Sequence, residues 1–418
     1  MRRTTAFASF RHWTRIRRLL AVAAPALALV AATAVPPAGA DPVPDATSTW
    51  GTAKNTKNGR AQMVRAMVEA SGVAYLGGVF TTMVGPGGSP SASRARLAAV
   101  DGTTGALTAW DPHADGAVWA MELSADHLSV YVGGDFSHIG GHSVSKLAKL
   151  DLATGAVDTT FHPVVKGRVR GLFLDGTRLY LGGDFTSVSG QARPKLAAVD
   201  AATGIVDPWT PPVLNSGRYV GHTGIPTPDE SSGNVYAVAV VGGKVFAAGN
   251  FLNFGGSGGI VTLDPATGGL VDPQFDPGRP VFSLATANGL LFAAAGGPGG
   301  RAYAFDPAQQ KPLWSAKFDG DAVGVKASAT TVYVAGHYDY IVDQASSCYQ
   351  FCPGGPLRHH LSAFTIADGQ LTAWNPAADT STGPETFALG ADRLYVGGEF
   401  TKINGAAHPG LAVFPGAP

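Results

Sequence analysis

His337, His359 and His360 fall close together with Tyr338, Asp339, Tyr340 and Arg358. Histidine beside tyrosine can carry acid–base chemistry. The same polar set could instead line a ligand or glycan cleft. A second set follows a rule of spacing. Four residues past an aromatic that recurs along the chain stand Val79, Asp135, Asp184, Asn250, Gly296, His337 and Glu399. Three carboxylates, an amide and an imidazole around one axis could hold a cation, and oxygen donors would favour Ca²⁺. The alternative is that each short polar side chain bonds the N–H groups of its own loop. His138 and His142 have a spacing that suits a metal on a helix, but Ile139-Gly140-Gly141 between them is not helical. The two cysteines, Cys348 and Cys352, suit one small-loop disulfide in an exported chain. As a two-thiolate metal site they would lack a third cysteine. No Gly-x-Ser-x-Gly, His-Glu-x-x-His, phosphate loop or dinucleotide fingerprint is present.

Residues without a motif must be placed by their scaffold, and the scaffold is written as a repeat. Four signals recur in fixed order, seven times each. The first is a short apolar run, as in Val64–Met67 and Val118–Met121. The second is an aromatic before small residues, typically Tyr-x-Gly-Gly, at Tyr75, Tyr131, Tyr180, Phe246, Phe292, Tyr333 and Tyr395. The third is an alternating strand such as Leu97–Asp101 or Leu147–Asp151. The fourth is an aromatic after a turn, at Trp50, Trp110, Phe161, Trp209, Phe275, Trp314 and Trp374. Trp50 to Trp374 is 324 residues over six intervals, a mean of 54. Four short β segments at that period predict an all-β, seven-bladed β-propeller. The chain begins on an unaccompanied fourth element and ends after a third one. The N-terminal strand is therefore expected to close the last blade, which removes open sheet edges.

The turns follow one plan. Asp101-Gly-Thr-Thr-Gly105, Asp151-Leu-Ala-Thr-Gly155, Asp200-Ala-Ala-Thr-Gly204 and Asp264-Pro-Ala-Thr-Gly268 each offer a carboxylate to nearby N–H groups and a glycine for a positive φ. These aspartates are read as turn staples, and the Trp/Phe set as packing between blades. Connections between the first and second elements, and between the third and fourth, are short. The large insertions, Thr81–Arg96, Thr210–Asn234 and Tyr338–His360, fall in the other connections and so on one face. Long loops on a rigid scaffold commonly carry binding.

Glycine (56) and proline (29) make about a fifth of the 418 residues, a load that excludes helical bundles. The 45% hydrophobic and 14% charged composition excludes long disorder. Six arginines up to Arg18 precede an apolar run from Leu19 to Val35 and then Ala38-Gly39-Ala40. Residues 1–40 are thus expected to be a signal peptide, by the general or the twin-arginine route, with 41–49 a short lead and 50–418 the propeller. The run is 17 residues and broken by Pro25, marginal for a membrane anchor. Removing these six of the 30 basic residues leaves 24 against 30 acidic ones. No basic block remains, which argues against nucleic acid. A soluble secreted monomer with no membrane span in the mature chain is expected.

Tyr131-Val-Gly-Gly-Asp-Phe136, followed by Lys146-Leu-Ala-Lys-Leu-Asp151 and Ala153-Thr-Gly155, resembles the delta-60 repeat family of bacterial secreted β-propellers. The motif repeats at Tyr180–Phe185 with Lys195–Gly204, and the resemblance covers roughly residues 60–418. It implies the fold and export, with no shared catalytic activity. Ala98–Trp110 is also similar to the tryptophan-docking motif of quinoprotein propellers. Their adjacent-cysteine ring and calcium carboxylates have no counterpart here, which leaves shared packing geometry as the reading.

Three functions follow. The leading one is a non-catalytic scaffold binding an extracellular protein or glycan through the insertion-rich face. Its candidate residues are Asp135, Asp184, Asn250, His337, Glu399, Tyr338, Arg358, His359 and His360, with no cofactor beyond the candidate Ca²⁺. The second is a lyase or hydrolase using His337, His359 and His360, with or without a metal. The third is a structural envelope protein.

Overall fold

The computed structural model describes residues 45–212, 218–220, 225–227, 233–251, 258–297, 299–344, 355–379 and 382–416. The expected signal peptide, Cys348 and Cys352, and much of the Thr210–Asn234 insertion lie outside the described residues. No described helix is long and apolar enough to cross a membrane.

The chain is all-β. Seven antiparallel meanders of three consecutive strands follow one another, with first strands Val64–Ala70, Val118–Leu123, Val169–Asp175, Val235–Val241, Val281–Ala287, Ala322–Ala327 and Pro384–Leu389. In each, the second strand ends on the small-residue pair that the sequence repeats, as in Val73–Gly78 and Ser129–Gly134. Alternating apolar residues face both sides, so each meander packs on its predecessor and its successor. The first strand of each meander packs beside the next one's, and that of the first meander also packs beside that of the last.

The Gly-Gly pair has two separate mechanical reasons. A Cβ on Gly133 would stand 2.6 Å from Val169 of the next meander, and one on Gly182 would stand 2.6 Å from Val235. A Cβ on Gly134 would lie 2.1 Å from the Ala117 carbonyl oxygen, and one on Gly183 would lie 2.0 Å from that of Arg168. The first glycine admits the neighbouring meander. The second admits the chain entering its own first strand. Gly397 is the last meander's counterpart, and a Cβ there would come 2.9 Å from Val64 of the first.

Aromatic latches join consecutive meanders. Tyr75 and Trp110 meet edge to face at 5.1 Å, and Tyr180 and Trp209 at 5.2 Å. Both members then reach the following meander: Tyr75 Oη donates to the Leu152 carbonyl at 3.0 Å and Trp110 Nε1 to that of Asp151 at 3.1 Å. Trp209 Nε1 donates to Asp264 in the same way at 2.9 Å. The turn that receives them is itself stapled. Asp151 Oδ1 accepts from the Thr154 hydroxyl and amide, each at 2.7 Å, and these bonds hold its carboxyl below the usual carboxylate range. Asp101, Asp200 and Asp264 repeat the geometry.

The fourth segment departs from expectation. A full fourth strand, Trp314–Phe318, forms in the fifth meander alone among the described residues. Elsewhere the segment shrinks to one bridge, such as Val100↔Leu107, Leu150↔Val157 or Phe364↔Leu371. Proline explains this. Pro112, Pro163 and Pro376 stand two residues after the fourth-element aromatic, where they cannot donate to a ladder. In the fifth meander Pro312 comes before the aromatic instead, and Trp314-Ser-Ala-Lys-Phe318 contains none. At the chain's start, Thr47 bridges Val413 of the last meander, its amide donating at 2.7 Å.

Two substitutions test this packing. Gly134→Ala should cost about 2–3 kcal/mol through backbone displacement, and Trp209→Ala about 3–5 kcal/mol through lost volume. Both should appear as lower urea midpoints; an unchanged midpoint in either would contradict the contacts described.

Candidate functional site

Every first strand carries a β-bulge at the same place, its register slipping between Val64 and Ala66, Val118 and Ala120, Val169 and Gly171, Val235 and Ala237, Val281 and Ser283, Ala322 and Gly324, and Pro384 and Thr386. The extra residues are Arg65, Trp119, Arg170, Tyr236, Phe282, Val323 and Glu385. A bulge re-aims the side chain it inserts. All seven are half-buried, and all seven line one cavity of about 640 Å³. Small residues after the bulge make this possible. A Cβ on Gly171 would stand 2.8 Å from the Tyr236 carbonyl oxygen, and one on Gly324 would stand 2.3 Å from that of Glu385. The cavity lies where first strands begin and second strands end, the end from which the long connections leave.

The bulged side chains interact as a chain. Glu385 Oε2 accepts from Arg65 Nη1 at 2.7 Å. The Arg65 guanidinium lies 4.8 Å from the Trp119 ring centre, and Arg170 lies 5.0 Å from the same ring. Arg170 also lies 5.8 Å from the Tyr236 ring, whose centre is 5.7 Å from that of Phe282. Cation–π contacts between partly desolvated groups are worth about 1–2 kcal/mol each. Burial pushes the Glu385 carboxyl up, against the pull of Arg65.

The sequence-derived residues surround this ring. Asn250 and His337 line the cavity. Asp184 accepts from the Arg168 amide at 3.0 Å and from Arg170 Nη2 at 3.2 Å. Asp135 pairs with Arg168 Nε at 2.8 Å and accepts from Trp119 Nε1 at 3.4 Å. Asn250 Oδ1 accepts from the Asn234 amide at 2.6 Å. Glu399 accepts from the Thr382 hydroxyl at 2.6 Å and lies 3.5 Å from Arg60. These acidic groups meet arginines and loop amides. Among the described residues no group of three or more His, Cys, Asp or Glu is placed to hold a metal ion.

The histidine patch is largely scaffold. Tyr338 occupies the place of Phe80, Phe136, Phe185 and Phe400, all fully buried in the core. Its ring lies 4.3 Å from Phe318, its hydroxyl bonds the Val334 carbonyl at 2.8 Å and the Ser362 hydroxyl at 2.7 Å, and burial pushes that hydroxyl far up. Tyr338 is a core residue and not a ligand-facing one. Arg358 is three residues before a third strand, as are Arg94 and Arg193. The three donate alike to the fourth segment, at the carbonyls of Thr372, Thr108 and Asp207. Arg358 is therefore a rim clamp. His360 sits buried at φ 69° directly before its third strand, where Arg96, Lys146 and Lys195 have φ 69°, 68° and 69°. Lys146 and Lys195 use that position to reach the carbonyls of Asp135 and Gly233. Burial lowers the His360 imidazole. His359 alone points outward, its Nδ1 2.7 Å from Asp339 Oδ1. His138 and His142 lie on the two strands of a short surface hairpin, with His138 paired to Asp115 at 3.1 Å.

The bulged ring escaped the sequence reading. Its signal was present: Val-Arg-Ala-Met, Val-Trp-Ala-Met, Val-Arg-Gly-Leu, Val-Tyr-Ala-Val and Val-Phe-Ser-Leu set one large variable residue between a valine and a small residue. Three positions beyond the bulge, Glu122 on the second meander interacts with Lys326 on the sixth, and Lys326 lines the cavity. Burial pushes the Glu122 carboxyl up to about 7, with Lys326 opposing.

The family model described as a domain of unknown function (DUF5122) beta-propeller matches residues 129–161, the second and third strands of the second meander through Phe161. This match supports a β-propeller. Solved structures similar to the chain include the crystal structure of the computationally designed Ika8 protein (crystal packing No.1 in P63), at 11% identity and a TM-score of 0.46, over 85% of this chain and 96% of that one. No curated protein matches the chain.

Glu122 yields a pH prediction. Its folded-state pKa of about 7 exceeds the ordinary value of 4.5, so the folded protein binds more protons in that window and stability should fall as pH rises from 4.5 to 7. Glu122→Gln should remove this decline and gain on the order of 3 kcal/mol at pH 8. Urea titrations at pH 5 and pH 8 check it, and an equal pH dependence in both proteins would refute the assignment.

Proposed function

We propose that this chain is a secreted, non-catalytic seven-bladed β-propeller, its N-terminal segment completing the last blade, that binds an extracellular protein or glycan on its loop-rich face. The observation that carries this reading is the ring of seven bulged side chains around one cavity at that end of the meanders. Guanidinium, indole, phenol and phenyl groups are gathered there, the types that dominate recognition surfaces. Closure draws support from the Thr47–Val413 bridge and from Gly397 and Val64, which meet as Gly133 and Val169 do. Secretion draws support only from the composition of residues 1–40. A lyase or hydrolase reading retains His337 at the cavity and the His359–Asp339 pair; Tyr338, Arg358 and His360 serve the scaffold.

The test uses the chain without residues 1–40, immobilised and exposed to culture proteins and wall polysaccharide fractions. Specific retention is expected, falling at least tenfold in Tyr236→Ala while the melting temperature holds. Retention of nothing, or full retention by a folded Tyr236→Ala, would overturn the placement of the site.

A further inference from the structure

The cavity has unequal hydrogen-bonding capacity on its two sides of the account. Arg65 spends one N–H on Glu385, and Arg170 spends one on Asp184. A guanidinium carries five. The Nε atoms of both are buried without a partner, as are those of the rim clamps Arg94, Arg193 and Arg358, so what each can offer a ligand lies in its remaining Nη hydrogens. The two carboxylates of the wall each have one oxygen bonded, Glu385 Oε2 by Arg65 and Asp321 Oδ1 by the Gly297 amide at 2.8 Å. Lys326, which also interacts with Glu122, adds a third cation to the lining. The wall therefore has guanidinium donors to spare. In the seven-fold ring proposed above, Arg65 faces the Tyr236–Phe282 pair across the cavity. Those two rings lie 5.7 Å apart and are tilted 36° to each other.

We propose that the cavity takes a uronate-bearing saccharide, its carboxylate held by Arg65 and Arg170 and its sugar ring lying against Tyr236 and Phe282. A planar carboxylate matches the guanidinium fork, which a hydroxyl does not. A volume of about 640 Å³ falls within the roughly 300–1,000 Å³ of small-ligand sites. Both guanidinia are held in place by their neighbours, Arg65 by Glu385 and the Trp119 ring, Arg170 by Asp184 and the same indole. Little side-chain order need then be lost on binding. This assignment rests on the binding reading above and narrows it to one ligand class.

The experiment is calorimetric titration of the chain without residues 1–40 with a galacturonate trisaccharide, its methyl ester and a neutral glucose trisaccharide. The acid should bind at least tenfold more tightly than the ester, with affinity falling as salt rises. Arg170→Gln and Arg65→Gln should each bring the acid to the level of the ester. Phe282→Ala should weaken acid and ester by the same factor. Arg170→Lys, which keeps charge without the fork, should recover only part of the loss; thermal melts confirm that each variant is folded. Equal binding of acid and ester, or undiminished acid binding by folded arginine variants, would overturn carboxylate recognition while leaving a glycan-binding site. Binding of none of the three would overturn the saccharide assignment, and the retention assay above then decides separately whether the face binds a protein.

Discussion

Where one meander meets the next, the strands come together at glycine-to-valine contact, with 2.6 Å left for a methyl group on Gly133 that would need well over 3 Å. That close approach draws the first strands side by side and leaves their bulged residues one direction to project. A larger residue at Gly171 or Gly324 would meet the carbonyl of the next bulge. Interior packing at crystal-like density tolerates little of this. The cavity is thus a by-product of the contact that assembles the fold, and its wall is as rigid as that contact.

The repeat also sorts scaffold from site. A residue's counterpart in another meander shows what the backbone demands there. Tyr338 replaces a buried phenylalanine and finds partners for its hydroxyl in Val334 and Ser362. Arg358 repeats the clamp of Arg94 and Arg193. His360 fills a left-handed position that three other meanders give to arginine or lysine. The polar crowding that drew attention to this segment comes from three scaffold roles that fall next to one another in sequence.

Much of the architecture was legible because its signals are local. Period-two alternation, Asp-x-x-Thr-Gly turns and Gly-Gly ends report on bonds made within a few residues. The turn staples, with Asp151 accepting from Thr154 at 2.7 Å, follow directly from such spacing. The fourth segment was less legible, since its apolar residue and aromatic suggest a strand while a proline two residues past the aromatic limits it to one bridge. Of the positions after each second strand, Asn250 and His337 line the cavity. Asp135 and Asp184 turned instead to arginines, because Arg168 reaches Asp135 from just before the third meander's first strand and Arg170 reaches Asp184 from within it. The second pairing depends on a bulge, and a bulge is a property of two strands that neither spells out alone.

The bulge position differs from its neighbours in what the fold asks of it. Before it stands valine in five meanders, and after it stands alanine, glycine, serine or threonine in all seven. The bulged residue itself runs from arginine to tryptophan, tyrosine, phenylalanine, valine and glutamate. The fold fixes where this side chain points while its chemistry varies from meander to meander. Under the proposed binding role, side-chain identity there is answerable to what enters the cavity. The basic and aromatic residues gathered on five consecutive meanders, with an anchored carboxylate on the last, form a graded wall instead of a symmetric one. A symmetric ring would suit a centred ion. A graded wall suits a ligand with an acidic end and an apolar face, oriented across the axis.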